Sequence, residues 1–328
     1  MSEDLRTLGE FGLIGLLRAR FPSPEGGIVG IGDDAAVFSI DGRSVLTTDM
    51  LVEGVHFDLA VSSPADVGYK AVAANVSDIA AMGARPLYAL LALGAPAETP
   101  VVTAESLING IAEASREFGV APVGGDTVSA PLLVLSVTLI GSVAGAPVLR
   151  SGAKAGDLLC VTGSVGAAAA GLALLRRNDA GARRLLEEFP GLAGAHRRGR
   201  ARVAEGHVAA RESVHAMIDI SDGLGADALH IATESDVAVS IKAAALPLAD
   251  GVPEAARYLG RDAWMFGASG GDDYELLMAV PPSKAEDLAR VIRPLTVIGR
   301  FVEGSESVLE HPDGSMRPLD GLGWDHFL

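Results

Sequence analysis

A single cysteine, Cys160, in 328 residues excludes a disulfide framework and a thiolate metal site alike. It lies in an apolar, strand-like run and reads as a buried, inert thiol. Aromatic residues are scarce at 5%, so Ala, Val and Leu must fill the core of a chain that is 49% hydrophobic. Positive charge is also in short supply: 26 Lys and Arg face 42 Asp and Glu, a formal net charge of −16. That balance leaves no basic face for nucleic acid. Most of the acids serve solubility, although the excess also suits a protein that gathers carboxylates around cations. Long apolar runs are missing as well. The uncharged stretch 127–149 is broken by Pro131, Gly141, Gly145 and Pro147, and the stretch 158–175 by Thr162-Gly163-Ser164. Neither offers the continuous span a bilayer requires. The start, Met1-Ser2-Glu3-Asp4, lacks the basic-then-apolar pattern of a signal peptide. The expectation is a cytoplasmic protein with no nucleic-acid or membrane partner.

Single cores seldom grow beyond about 250–300 residues, so a chain of this length is expected to form two domains. The Gly-, Ala- and Pro-rich segment Gly145–Gly156, which holds Arg150, reads as the connection, giving domains 1–144 and 145–328. Both halves mix helical and strand patterns, an α+β arrangement. In the first, the spacing predicts a helix over Leu5–Arg20, a strand at Ile28–Ile31 and a hairpin of Ala36–Ile40 with Ser44–Thr48. Ser63-Pro64 opens a helix that ends near Gly83, followed by Leu87–Leu93 (strand), Thr103–Phe118 (helix), and strands at Ala121–Val123 and Leu132–Ser142. In the second, strands are expected at Leu158–Thr162, Met217–Ile220, Val237–Ile241, Tyr274–Val280, Leu295–Phe301 and Ser307–Leu309. Helices are expected at Gly166–Arg177, Ala182–Phe189, His196–Ala210, Leu224–Thr233 and Ser283–Ile292.

Against this frame, acids recur at the ends of apolar runs. They occur in Gly32-Asp33-Asp34, Thr47-Thr48-Asp49, Asn75-Val76-Ser77-Asp78, Gly124-Gly125-Asp126-Thr127, Asp219-Ile220-Ser221-Asp222-Gly223 and Gly270-Gly271-Asp272-Asp273. One such motif is an ordinary turn, because Asp, Ser and Gly serve local backbone hydrogen bonding. Six together point to hard-cation chemistry: gathered carboxylates repel unless a cation is shared, and Mg²⁺ takes a few carboxylates plus substrate phosphates. Thr47, Thr48 and Asp49 offer oxygen ligands within three residues, and Asn75 and Asp78 share one helix side. Gly124–Thr127 reads as a tight turn or as a phosphate approach with Asp126 on the metal. Ser221 or Asp222 reads as a helix cap, with an anion at the same helix end as a compatible second use. Arg150 is a solvated linker charge or a phosphate clamp; His56 is a loop histidine or a substrate contact; Trp324 reads as a plug in the second domain. No Gly-x-x-x-x-Gly-Lys-Ser/Thr stretch exists, which excludes a P-loop kinase.

With these motifs in place, the chain resembles the thiamine-monophosphate kinases, within the ATP-binding superfamily of aminoimidazole ribonucleotide synthetase. The resemblance runs in order through Gly30–Ala35, Thr47–Phe57, Gly68–Ala71, Ser77–Ala84, Gly124–Thr127, Arg150–Ala153, Asp219–Leu224, Ser269–Glu275 and Asp325-His326-Phe327. It implies a homodimer, with a ferredoxin-like N-terminal half at the dimer interface that binds ATP and Mg²⁺. It also implies an α/β C-terminal half that completes the active site. The implied reaction is transfer of the ATP γ-phosphoryl group to thiamine monophosphate, giving thiamine diphosphate. By position, Asp34, Thr47, Thr48, Asp49, Asp78, Asp126, Asp219 and Asp222 match the family's metal ligands. Gly125, Asp126, Arg150 and Ser221 match its nucleotide contacts, and His56, Asp272 and Trp324 its substrate contacts. Asp33, beside Asp34, has the same chemistry, and Asp272 stands where many members carry Glu. No residue is implied as a general base. Selenophosphate synthetase and hydrogenase-maturation relatives depend on a cysteine, in an N-terminal loop or at the C-terminus respectively; here Cys160 is the only one and the chain ends His326-Phe327-Leu328. A non-catalytic nucleotide-binding regulator would be signalled by lost acids, and all are present.

Overall fold

In the computed structural model, which describes residues 4–22, 28–31, 35–311 and 313–324, the chain forms two units. One comprises Met1–Ile79 and Ala84–Gly145; the other comprises Ala80–Gly83 and Ala146–Leu328.

The first unit opens with helix α1 (Leu5–Arg20), capped by Asp4, whose carboxylate accepts the Thr7 N–H at 2.9 Å. Gly9, with φ 73°, interrupts its helical path. Strand β1 (Arg43–Val52) leads to α2 (Pro64–Ala81), and Ser63 and Asp66 close that helix start with reciprocal bonds between side chain and backbone N–H (3.1 and 3.2 Å). Then come β2 (Arg85–Ala95), α3 (Val101–Phe118), β3 (Ala121–Ser129) and β4 (Val134–Val143). Gly119, in the left-handed region at φ 69°, ends α3. The sheet order is β1-β4-β2-β3. β1 and β2 run the same way with β4 antiparallel between them, the split β-α-β arrangement of a ferredoxin-like half. Edge strand β3 departs from an all-antiparallel sheet by lying parallel to β2.

Two sequence expectations change here. The Ala36–Ile40 hairpin does not form: Val37 makes an isolated bridge with Val29, and β1 pairs with β4 over its whole length. A distant strand with a longer ladder outcompetes the local turn. The Gly124–Thr127 segment is not a turn but part of β3. Gly125 is required there by its neighbour, because a Cβ would run into the Leu91 carbonyl of β2.

The second unit contains β5 (Leu158–Thr162), α4 (Ala167–Arg177), α5 (Ala180–Glu188), α6 (Pro190–Arg197), α7 (Val203–Arg211), β6 (Ala216–Asp219) and α8 (Leu224–Glu234). These are followed by β7 (Ala238–Lys242), α9 (Val252–Leu259), α10 (Ala263–Ser269), β8 (Leu276–Val280), α11 (Pro282–Val291), β9 (Leu295–Val302), β10 (Val308–Glu310) and β11 (Met316–Pro318). The strands order as β11-β10-β7-β9-β5-β8-β6, and of these pairs only β7 with β10 is parallel. Helices cover both faces, as expected of an α/β half. Leu224, Ala228 and Ile231 of α8 pack with Ile218, Leu277 and Phe301 on one face; Ala209 of α7 and Leu288 of α11 pack with Met217 and Met278 on the other. Cys160 is wholly buried there, and burial pushes its thiol up to about 12.

The expected single helix His196–Ala210 is two. α6 stops at Arg197 and α7 begins at Val203, because the intervening residues are held by contacts far away in sequence: Gly199 sits under the Tyr274 ring and Arg202 pairs with Glu275. Helices α9 and α10 were not read from the sequence. Among the described residues no helix is long and apolar enough to cross a membrane.

Candidate active site

In the first unit the period of β1 sorts the candidate ligands. Thr47 and Asp49 lie on the face toward α2. Thr47 Oγ1 donates to Asp78 Oδ2 at 2.5 Å, and the Asp49 N–H donates to Asn75 Oδ1 at 3.1 Å. Asn75, fully buried, also donates from Nδ2 to the Ala71 carbonyl at 2.9 Å. The three-residue spacing of Asn75 and Asp78 therefore presents both to the strand. Asn75, read in the motif but given no role, is the residue that registers the strand against the helix.

Thr48 does not join that group. Strand alternation turns its side chain to the helix-free face, where Oγ1 meets the Val137 carbonyl at 3.2 Å and Thr138 Oγ1 at 3.0 Å. Asp126 is on that outer face too. In β3 the Thr127 hydroxyl is buried and, among the described residues, without a partner, so its neighbours Asp126 and Val128 point the other way, and Val128 is 63% exposed. Asp126 Oδ1 accepts the Thr127 N–H at 2.9 Å. β1 and β3 are the two edges of the sheet, three strand spacings or about 14 Å apart. Thr47, Asp49 and Asp78 are thus gathered on one face, and Asp126 is separated from them. His56 accepts the Val52 N–H on Nδ1 at 3.0 Å, which leaves Nε2 as the protonated nitrogen of the neutral ring. Asp33 and Asp34 lie outside the described residues.

In the second unit, Asp219 ends β6, almost fully buried, and the chain turns through Ser221-Asp222-Gly223 into α8. Backbone pairing continues past the strand ends. The Asp272 N–H donates to the Ser221 carbonyl at 2.9 Å, the Tyr274 N–H to the Ile220 carbonyl at 2.9 Å, and the Ile220 N–H to the Glu275 carbonyl at 2.8 Å. The Trp324 N–H donates to the Asp222 carbonyl at 3.0 Å. Asp219, Ser221, Asp222, Asp272 and Trp324 are therefore brought together, at the start of an eleven-residue helix whose N–H groups favour an anion.

Four further groups around this turn were given no role from the sequence. Asp227, in the first turns of α8, accepts the Gly223 N–H at 3.1 Å; burial, with the charges of Asp219 and Asp222, lifts its carboxyl well above the ordinary range. The signal was an acid four residues after a glycine cap. Asp273 accepts the Gly166 N–H at 2.7 Å and so caps α4 from a distance. Burial raises its carboxyl well above normal against that pull. Glu275 is buried in an ion pair with Arg202, which bonds it from Nε at 2.6 Å and from a second guanidinium nitrogen, and Thr162 Oγ1 donates to the same carboxylate at 2.6 Å. Tyr274 donates its hydroxyl to Asp272 Oδ1 at 3.0 Å. No short-range pattern announces the partners of the last three.

Arg150 is exposed, and its backbone lies at the other end of α8 from Ser221. The neighbouring Leu149 carbonyl accepts the Met217 N–H at 2.9 Å, and Gly152 N–H donates to Ser235 Oγ, just past the end of α8, at 3.1 Å. Eleven helical residues put about 16 Å between the two ends.

A donor set of carboxylates and hydroxyls, without Cys and with His56 engaged by backbone, fits a hard cation such as Mg²⁺ rather than a softer metal. Among the described residues no three acids or histidines are grouped as a self-contained metal cage. A cation that keeps waters and phosphate oxygens as ligands needs only one or two carboxylates.

The chain matches the family described as AIR synthase related protein, its N-terminal domain over residues 32–143 and its C-terminal domain over residues 154–312. It is 43% identical to the thiamine-monophosphate kinase of Mycobacterium tuberculosis over 98% of this chain and 91% of that protein. The crystal structure of thiamine-monophosphate kinase from Stenotrophomonas maltophilia K279a superposes with a TM-score of 0.81 at 38% identity, covering 92% of this chain and 96% of that one. A structure described as AaThiL complexed with AMPPCP and TMP gives 0.77 at 32% identity, covering both chains completely.

Proposed function

The chain belongs to the thiamine-monophosphate kinase family, and from that premise we propose that it transfers the γ-phosphoryl group of ATP to the phosphate of thiamine monophosphate, releasing thiamine diphosphate and ADP. The observation that carries this reading is the pairing of acids with strand and helix in both units: Thr47, Asp49 and Asp78 in the first, and the Asp219–Gly223 turn with Asp272 in the second.

The acceptor needs no base. A phosphomonoester has its second pKa near about 6, so its attacking oxygen is already anionic at neutral pH. Catalysis then reduces to aligning two polyanions and balancing charge on the transferred group. Asp49, Asp78, Asp219 and Asp222, with Thr47, would hold Mg²⁺, which when bound neutralises charge on the phosphates. Asp34, Thr48 and Asp126 are further candidates for that role. Gly125, Asp126, Arg150 and Ser221 are assigned to ATP, and the N-terminus of α8 orients an anion beside Ser221. His56, with its proton on Nε2, donates to the acceptor. Asp272 accepts from the acceptor, and Trp324 offers an aromatic face to the thiazolium cation. The first unit serves ATP, cation and dimerisation, and the second completes the active site.

A homodimer is part of the proposal. Leu46, Met50 and Val128 on the helix-free sheet face are each more than half exposed, an apolar surface that a second copy would cover. Asp126 shares that face, so the same association would bring residues of a second copy beside it. The protein is assigned to the cytoplasm, where ATP is supplied.

Phosphorus NMR of the purified protein with ATP, MgCl₂ and thiamine monophosphate tests the reaction. Stoichiometric thiamine diphosphate and ADP are expected. ADP formed at the same rate without the acceptor, or none at all, would reject the proposal. Sedimentation of Met50→Lys against the parent protein tests the dimer, with a shift to monomer expected.

A further inference from the structure

We infer that Tyr274 is a positioning residue for the acceptor, holding the carboxylate of Asp272 in one orientation through its phenol; the inference rests on the reading of Asp272 as an acceptor contact. Three observations carry it. The Tyr274 hydroxyl donates to Asp272 Oδ1 at 3.0 Å, and a bond to a carboxylate is stronger than one between neutral groups. Both residues lie in the left-handed backbone region, Asp272 at φ 65° and Tyr274 at φ 52°, which residues with a Cβ rarely adopt. Strain of this kind is kept where the surroundings over-determine it. Here the Asp272 and Tyr274 N–H groups are each pinned to the carbonyls of Ser221 and Ile220 at 2.9 Å.

The third observation is the seat of the ring. Tyr274 is 4% exposed, and Gly199, between α6 and α7, lies flat against it, so that any Cβ at that position would collide with the ring. The same loop ends in Arg202, whose guanidinium grips Glu275, the residue after Tyr274. The phenol therefore cannot swing, and the carboxylate it holds inherits that rigidity. An aspartate, with one methylene fewer than glutamate, depends on such support because it cannot reach out to meet a misplaced substrate. Tyr274 acts through Asp272 and has no role of its own in the transfer.

The test is a double-mutant cycle on Tyr274→Phe and Asp272→Asn, read by steady-state kinetics in each substrate separately. Loss of one hydrogen bond to a charged group is expected to raise the KM for thiamine monophosphate by about tenfold in Tyr274→Phe, with the KM for ATP unchanged. Asp272→Asn should show the same split, and the double variant should be no worse than Asp272→Asn alone. Gly199→Ala, which displaces the ring without touching either polar group, should also raise the acceptor KM selectively. An unchanged acceptor KM in Tyr274→Phe beside a raised one in Asp272→Asn would overturn the positioning role while leaving the Asp272 contact in place. Equal rises for both substrates would overturn it as well, by marking a merely structural tyrosine. An unchanged acceptor KM in Asp272→Asn would overturn the underlying contact and the inference with it.

Discussion

Thr47 and Asp78, thirty-one residues apart in sequence, are joined by a 2.5 Å hydrogen bond from hydroxyl to carboxylate. The bond fixes one oxygen of the acid against β1 and leaves the plane of the carboxylate defined. Asp78→Asn keeps the shape but removes the charge a cation requires. Turnover should fall by about a hundredfold or more, since metal-borne charge stabilisation is worth several kcal/mol. Measuring kcat across a MgCl₂ titration checks this; a normal rate at limiting Mg²⁺ would take Asp78 out of the cation site.

Asn75 holds the Asp49 N–H on one side and the Ala71 carbonyl on the other. Asn75→Ala takes the side-chain acceptor from the part-buried Asp49 N–H, while the Ala71 carbonyl keeps its helical bond, and should cost about 1–3 kcal/mol. Urea unfolding followed by circular dichroism measures it. Because Asp49 would lose its register, the Mg²⁺ concentration for half-maximal rate should rise as well.

Arg202, half-buried, forms an ion pair with the buried Glu275, and removing the arginine abandons the carboxylate's charge. Arg202→Met should therefore destabilise by about 3–5 kcal/mol, whereas the joint replacement Arg202→Met with Glu275→Met should recover most of the loss. Chemical denaturation of the two variants and the parent decides it.

Asp273 supplies a pH prediction. Its carboxyl is raised in the folded protein, chiefly by burial, so the folded state holds this proton more tightly than the unfolded chain. The stabilisation from that proton is complete below the ordinary carboxylate pKa and disappears as pH climbs through the raised folded value. Asp273→Asn removes the titration while keeping an oxygen for the Gly166 N–H. Its stability should therefore decline less than the parent's as pH rises from about 4 toward neutrality. Parallel slopes in denaturant midpoints over that range would contradict the assignment.

How far the site could be read in advance depended on the range of the forces involved. Strands β1 and β6 and helix α2 were legible because alternation, an apolar run and a proline-led cap are local signals, although β1 runs on to Val52, past the end expected at Thr48. Thr48 was grouped with Thr47 and Asp49 because adjacency in sequence ignores the pleat, which sends every second side chain to the other face. The glycines of Gly124-Gly125 argued for a turn, yet Gly125 answers to the Leu91 carbonyl on a neighbouring strand. The break between α6 and α7 was invisible for the same reason: Gly199 and Arg202 respond to Tyr274 and Glu275, more than seventy residues on. Asp273 looked like a duplicate of Asp272, and its partner at the start of α4 lies over a hundred positions earlier.

The two-residue repeat of β1 has an outcome for how this enzyme can change. Odd positions look inward to Asn75 and Asp78, while even ones, Leu46, Thr48 and Met50, look outward. Inserting or deleting one residue ahead of Thr47 would invert that parity, sending Met50 under the helices and turning Asp49 outward. The proposed chemistry and the proposed self-association would fail in the same stroke, so indels in this strand should be purged far more strictly than substitutions.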